Sequence, residues 1–297
     1  MMTEPAAARR AASLVSTQWL ADHLGAPDIL VVDASWHIPI YNRDALSEFA
    51  DGHIPGAVYF DIDVVADPDH ELTHMLPNAE RFAETVGVLG ITRDTHVVAY
   101  DKAGLYSAAR VWWMFRLYGH EKVSVLDGGF PKWAAEGRSV ASGAVEPRAT
   151  RYTIPDGNPA RVRTREQMLA NVTSREEMVI DARTEDLYLG TRKNPYPGVR
   201  NGHIPGAVNL FVGGLMNQDD KTMLPPDTLA AKFASVGAGQ DRTVVFSCGS
   251  GVTACIMALA YDSLGNDRWS VYDGSWDEWG RWDAAPVETD AVTPTPR

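Results

Sequence analysis

The stretch Val244-Val245-Phe246-Ser247-Cys248-Gly249-Ser250-Gly251-Val252-Thr253 decides the reading of this chain. Its apolar, β-branched opening predicts a buried strand that ends at a cysteine. Gly249 and Gly251 let the backbone curl tightly, and Ala254 to Ala260 predicts a helix. A cysteine between a strand end and a helix start sits where backbone N–H groups converge and the helix dipole is positive. Both effects favour the thiolate, which is the nucleophilic form. The alternative for such a residue is burial as a small, inert hydrophobe. The glycine-rich turn favours catalysis for Cys248, whereas Cys255, inside the apolar helix, suits the inert role. A disulfide between them is not expected, because their Cβ atoms would have to meet across loop and helix.

Working outward, the chain repeats itself. His53-Ile54-Pro55-Gly56-Ala57-Val58 recurs letter for letter as His203-Ile204-Pro205-Gly206-Ala207-Val208, 150 residues later. Val31-Val32-Asp33-Ala34 matches Val179-Ile180-Asp181-Ala182, His96 to Tyr100 matches Thr243 to Ser247, and Asp127-Gly128 with Trp133 matches Asp273-Gly274 with Trp279. Four markers in one order at a nearly constant offset mean two homologous domains rather than a short-period solenoid. Within each unit, short β-rich runs (Ile29 to Asp33, Val97 to Tyr100, Val123 to Leu126) alternate with amphipathic segments such as Ala108 to Leu117. That alternation predicts an α/β fold: two homologous domains, each a mainly parallel sheet flanked by helices, with ligands at strand carboxyl ends. The repeat aligns Asp101 with Cys248, so one unit alone carries the nucleophile and the other supports the fold and walls the site. The expected boundaries are a disordered tail over 1–15, a non-catalytic domain over 16–140, a linker over 141–162, a catalytic domain over 163–285 and a tail over 286–297.

Composition bounds the rest. With 45% hydrophobic and 22% charged residues, the 297-residue chain is that of an ordinary globular protein. A net charge of −12 argues against a nucleic-acid surface, and no apolar run approaches a membrane span. Two cysteines in this length suit a reducing compartment, and with no apolar signal core near the start the expected location is cytoplasmic.

At Gly52 to Ala57, Leu105 to Arg116, Leu126-Asp127-Gly128-Gly129 and Tyr272-Asp273-Gly274-Ser275-Trp276 the chain resembles the tandem-rhodanese sulfurtransferases, from Trp19 to Trp279. The loop Cys248-Gly249-Ser250-Gly251-Val252-Thr253 is similar to that of the 3-mercaptopyruvate type; thiosulfate-preferring relatives typically carry a basic Cys-Arg-Lys-Gly loop. The resemblance implies a two-step sulfur transfer. Cys248 takes sulfur from a small donor as a persulfide, held by the amides of Gly249, Ser250, Gly251, Val252 and Thr253, and passes it to cyanide, a small thiol or a thioredoxin-like protein. No cofactor and no metal is implied. Rhodanese-like phosphatases are excluded because their Cys-x5-Arg pattern meets Ala254 here. The resemblance also implies a Ser250, His74 and Asp63 arrangement beside the nucleophile, which would help protonate the leaving enolate. His53 and His203 occur in both units and are expected to be structural.

One departure bears on the donor. Where the family places two arginines around a Gly-Thr pair, this chain has Leu187 and Tyr196. Neither forms the paired N–H bonds by which arginine clamps a carboxylate. Arg192, Lys193, Arg200 and Arg110, with Tyr196 itself, are the expected substitutes. Three readings follow: a mercaptopyruvate sulfurtransferase, a thiosulfate sulfurtransferase, and a persulfide carrier for a partner protein.

Overall fold

The computed structural model describes residues 4–154, 157–239 and 241–291. Two five-stranded sheets are present, and every strand pairing in them is parallel. The first contains β1 (Leu14–Val15), β2 (Ile29–Asp33), β3 (Val58–Tyr59), β4 (His96–Tyr100) and β5 (Val123–Leu126), in the order β1-β5-β4-β2-β3. The second contains β6 (Val162–Arg163), β7 (Met178–Asp181), β8 (Val208–Asn209), β9 (Val244–Ser247) and β10 (Trp269–Tyr272), in the order β6-β10-β9-β7-β8. The two orders are the same, strand for strand, as the sequence repeat requires. β9 is buried along its whole length, as a central strand covered on both faces must be.

The units meet through the helices that follow their central strands. Ala108–Leu117 follows β4 and packs against Ala254–Ser263, which follows β9. All ten residues of the second helix are buried, which explains why it is apolar all round. Trp112 of one unit stacks on Trp269 of the other at 5.7 Å between ring centroids. One apolar cluster therefore runs through both units, and each unit has a second of its own.

A pair of reciprocal bonds reinforces this contact. Asp127 accepts a bond from the Met223 amide at 2.7 Å, and Asp273 accepts one from the Leu76 amide at 2.8 Å. Each Asp-Gly marker thus reaches into a Met-Leu-Pro segment of the other unit, Met75-Leu76-Pro77 or Met223-Leu224-Pro225. The second of these short repeats went unnoticed in the sequence, and it acts as a clasp between the domains.

The expected N-terminal tail is corrected. Glu4–Ser13 forms a helix and Leu14–Val15 is the edge strand β1 of the first sheet. The helix packs on Ala254–Ser263. Arg10 donates to the carbonyls of Met223 (3.4 Å) and Leu224 (3.3 Å), and Arg9 to that of Asn266 (3.2 Å). Deleting residues 1–13 is expected to lower unfolding free energy by about 1–3 kcal/mol, the range for lost bonds to charged donors, as read by urea denaturation. At the other end, Glu288 of the expected tail exchanges backbone bonds with His203, and residues 292–297 lie outside those described. In the expected linker, Ala141 bridges His53, and the Thr150 amide bonds to Gly87. Among the described residues no helix is long and apolar enough to cross a membrane.

Candidate active site

Cys248 follows the last residue of β9, and its loop leads directly into Ala254–Ser263. The Cys248 amide donates to Ser275 Oγ at 3.1 Å, and the same hydroxyl lies 3.9 Å from Sγ. The Cys248 and Gly249 carbonyls accept bonds from the amides of Trp276 (3.0 Å) and Asp277 (2.7 Å). These contacts tie the loop to the start of helix Ser275–Arg281. Gly251 has φ +77°, and a Cβ there would collide with the Asp273 carbonyl and the Arg110 guanidinium. Only glycine suits that position.

The first unit has a loop at the same strand end that is one residue longer, 101–107 against 248–253. Asp101, aligned with Cys248, is buried and accepts five backbone N–H bonds from Ala103, Gly104, Tyr106, Ser107 and Ala108, at 2.7–2.9 Å. That longer loop turns its amides onto the side chain at its strand end.

A cavity of about 410 Å3 opens over Cys248. Its walls include Gly249, Ser250, Val252 and Thr253 from the loop, and residues of both units around them. Neither His74 nor Asp63 is in its wall; His74 Nδ1 is hydrogen-bonded to the Asp63 carboxylate, which also accepts from Trp36 Nε1 at 3.0 Å. A carboxylate only accepts, so Nδ1 carries the proton of this bond. Burial pushes the Asp63 carboxyl up, but its bond and charge contact with His74 outweigh this and hold it below the usual carboxylate range. His74 itself has φ +64°, a strained conformation for a non-glycine residue. Its carbonyl accepts a bond from Arg110 Nη2, which helps hold that backbone in place.

Ser250 is engaged differently from the sequence expectation. Its hydroxyl accepts a bond from the Tyr196 phenol at 3.3 Å, and no hydrogen bond joins it to His74. The structure therefore builds two pairs, Asp63 with His74 and Ser250 with Tyr196. Burial pushes the Tyr196 phenol above its ordinary value, so it stays protonated and donates.

The expected basic set is largely corrected. Arg110 is fully buried, paired with Asp273 at 2.9 Å and bonded to the Gly251 carbonyl at 3.0 Å; it braces the loop from behind. Arg200 donates to the carbonyls of Trp279, Gly280, Trp282 and Ala285, capping the end of helix Ser275–Arg281. Lys193 is exposed and is not part of the cavity wall. Arg192 does line the cavity, 3.6 Å from Asp186, with an exposed side chain. Sequence reasoning missed Arg183, another wall residue. It is paired with Asp181 at 2.5 Å, and its Nη1 is buried without a partner. Trp36, Asp273 and Ser275 were also missed as site residues, although Asp273 and Ser275 fall inside a repeat marker.

Two parallel α/β units with one strand-end cysteine between them define a class. A family model for the rhodanese-like domain matches residues 16–136 and again 164–281, and the chain belongs to that family. It is a sulfurtransferase, as its curated relatives are. It is 42% identical to the 3-mercaptopyruvate sulfurtransferase of Mus musculus over 274 residues, covering 90% of this chain and 91% of that one. It is 41% identical to the thiosulfate sulfurtransferase of Rattus norvegicus over 288 residues, covering 93% and 94%. A solved Escherichia coli structure, SseA, presented as a 3-mercaptopyruvate sulfotransferase of rhodanese fold, superposes with TM-score 0.79 at 36% identity, covering 89% of this chain and 98% of that one.

Proposed function

We infer that the chain moves sulfur from 3-mercaptopyruvate, through a persulfide on Cys248, to a thiol or cyanide. The observation that carries this reading is the position of Cys248 in the cavity wall, at a strand end followed by a tight loop and a helix. In the first step the Cys248 thiolate attacks the donor sulfur, the carbon–sulfur bond breaks, and pyruvate leaves as its enolate. The Tyr196 and Ser250 hydroxyls are the groups in the cavity wall that can relay a proton to the enolate carbon. In the second step the acceptor attacks the outer sulfur, and the electron pair of the sulfur–sulfur bond returns to Cys248. Loop amides from Gly249 to Thr253 are the donors available to the anionic persulfide.

The donor carboxylate would meet Arg192 at the cavity rim and the unpaired Nη1 of Arg183. Replacing Arg192 with alanine is expected to raise KM for 3-mercaptopyruvate about fivefold, the scale of one exposed charge contact, in steady-state pyruvate release. Two buried free cysteines suit a reducing compartment such as the cytoplasm, and a small thiol or thioredoxin-like protein is the acceptor available there.

Leu187 and Tyr196 favour a second reading, with thiosulfate or another sulfane donor in place of mercaptopyruvate. The test is pyruvate release from 3-mercaptopyruvate beside sulfite release from thiosulfate, with cyanide as common acceptor. Pyruvate release should dominate. Dominant sulfite release would overturn the mercaptopyruvate reading. Formation of the Cys248 persulfide without steady-state turnover on either donor would instead make the chain a sulfur carrier.

A further inference from the structure

The cavity over Cys248 is built for more than a three-carbon oxo acid. Its walls include Ile40 and Tyr41 from the turn Pro39–Tyr41 of the first unit, and Leu187, Tyr196, Phe211 and Met216 of the second. Leu187 and Tyr196 stand where arginines would make a polar clamp, so two positions of this wall present hydrocarbon or ring in place of a guanidinium. Towards solvent, Ile40 is 65% exposed and Phe211 47% exposed, so apolar side chains from both units flank the entrance. Leaving such groups in water is unfavourable unless something apolar covers them. A mercaptopyruvate carboxylate uses none of this surface. With a volume of about 410 Å3, the cavity is of the size that takes a whole small molecule.

We propose that the sulfur acceptor is a small thiol with an apolar body, alkyl or aryl, whose hydrocarbon lies against Ile40, Leu187, Phe211 and Met216 while its sulfur reaches Cys248. The proposal rests on Cys248 acting as the sulfur carrier. The acceptor loses its proton to solvent, and its thiolate attacks the outer sulfur of the persulfide. The Cys248 sulfur–sulfur bond breaks, Cys248 leaves as thiolate, and the product is the acceptor's own persulfide. No net oxidation occurs, so no further reagent is needed. Glutathione, which carries no comparable hydrocarbon, would leave these apolar side chains uncovered and is disfavoured.

The test loads Cys248 with either 3-mercaptopyruvate or thiosulfate, confirms by mass the gain of one sulfur, and measures single-turnover discharge to ethanethiol, butanethiol, phenylethanethiol, glutathione and cyanide. The same thiols reacting with a small persulfide in solution correct for intrinsic nucleophilicity. Each methylene that enters the cavity should raise the corrected rate about threefold, so butanethiol should exceed ethanethiol by about tenfold. Phenylethanethiol should be faster than glutathione. Ile40→Ser and Phe211→Ser, both at exposed positions, should each lower the ratio of phenylethanethiol to cyanide discharge by about threefold. A corrected rate independent of chain length, or one fastest with glutathione, overturns the proposal and leaves the carrier role of Cys248 standing. Failure of both donors to load Cys248 overturns the carrier reading and this proposal with it.

Discussion

Cys248→Ser is expected to reduce sulfur transfer by at least about 1,000-fold with either donor while leaving the fold unchanged. Serine is nearly the same size, and Cys248 is buried between β9 and the Ser275 hydroxyl, so the backbone has no reason to move. What disappears is the soft nucleophile that can hold a second sulfur. Cys255 cannot take over. It lies inside a fully buried helix and donates to the Gly251 carbonyl at 3.2 Å, and burial pushes its thiol well up, with Arg110 only partly opposing. The measurement is steady-state transfer to cyanide, with circular dichroism as the check on folding. Turnover within tenfold of the parent would show that another group carries the sulfur.

Arg110→Met should be the most damaging change away from the nucleophile. Arg110 is fully buried. Burial works against its charge, but Asp273 more than restores it, and its affinity for the proton is raised. Its guanidinium also holds the Gly251 carbonyl in the loop and the His74 carbonyl in the strained turn. Removing it strands a buried carboxylate, for which about 3–5 kcal/mol of lost stability is expected in urea denaturation. Activity should fall further than stability alone explains, because the loop and the His74 segment lose their shared brace. Adding Asp273→Asn to Arg110→Met should restore part of the stability, since no buried charge then lacks a partner, without restoring transfer. A double variant as active as the parent would show that Arg110 serves folding only.

Much of this architecture was legible because the information is local. The apolar run ending at Cys248, the paired glycines and the apolar helix after them each depend on neighbours within a few residues. The hexapeptide repeat announces a second copy of the fold without any knowledge of packing. What was not legible depends on distant partners. The N-terminal helix looks like an alanine-rich tail until Ala254–Ser263 is placed beside it. Arg200 looks like a substrate ligand because it follows the Gly-Thr pair, but the helix end at Trp279 to Trp282 turns several carbonyls toward its guanidinium. Arg110 reads in the repeat alignment as a candidate carboxylate ligand opposite the catalytic loop, but its guanidinium is buried against Asp273 and the Gly251 carbonyl. Sequence alignment gave its neighbourhood; the Asp273 pairing that removes it from solvent follows from the docking of the two units.

The most direct measurement mixes the protein with 3-mercaptopyruvate in the absence of acceptor, then quantifies pyruvate and locates the bound sulfur by peptide mass spectrometry. The expected result is one pyruvate released per chain, with one extra sulfur on the peptide that contains Cys248 and its loss on adding cyanide. Pyruvate release with no sulfur on Cys248, or sulfur found on Cys255, would contradict the account.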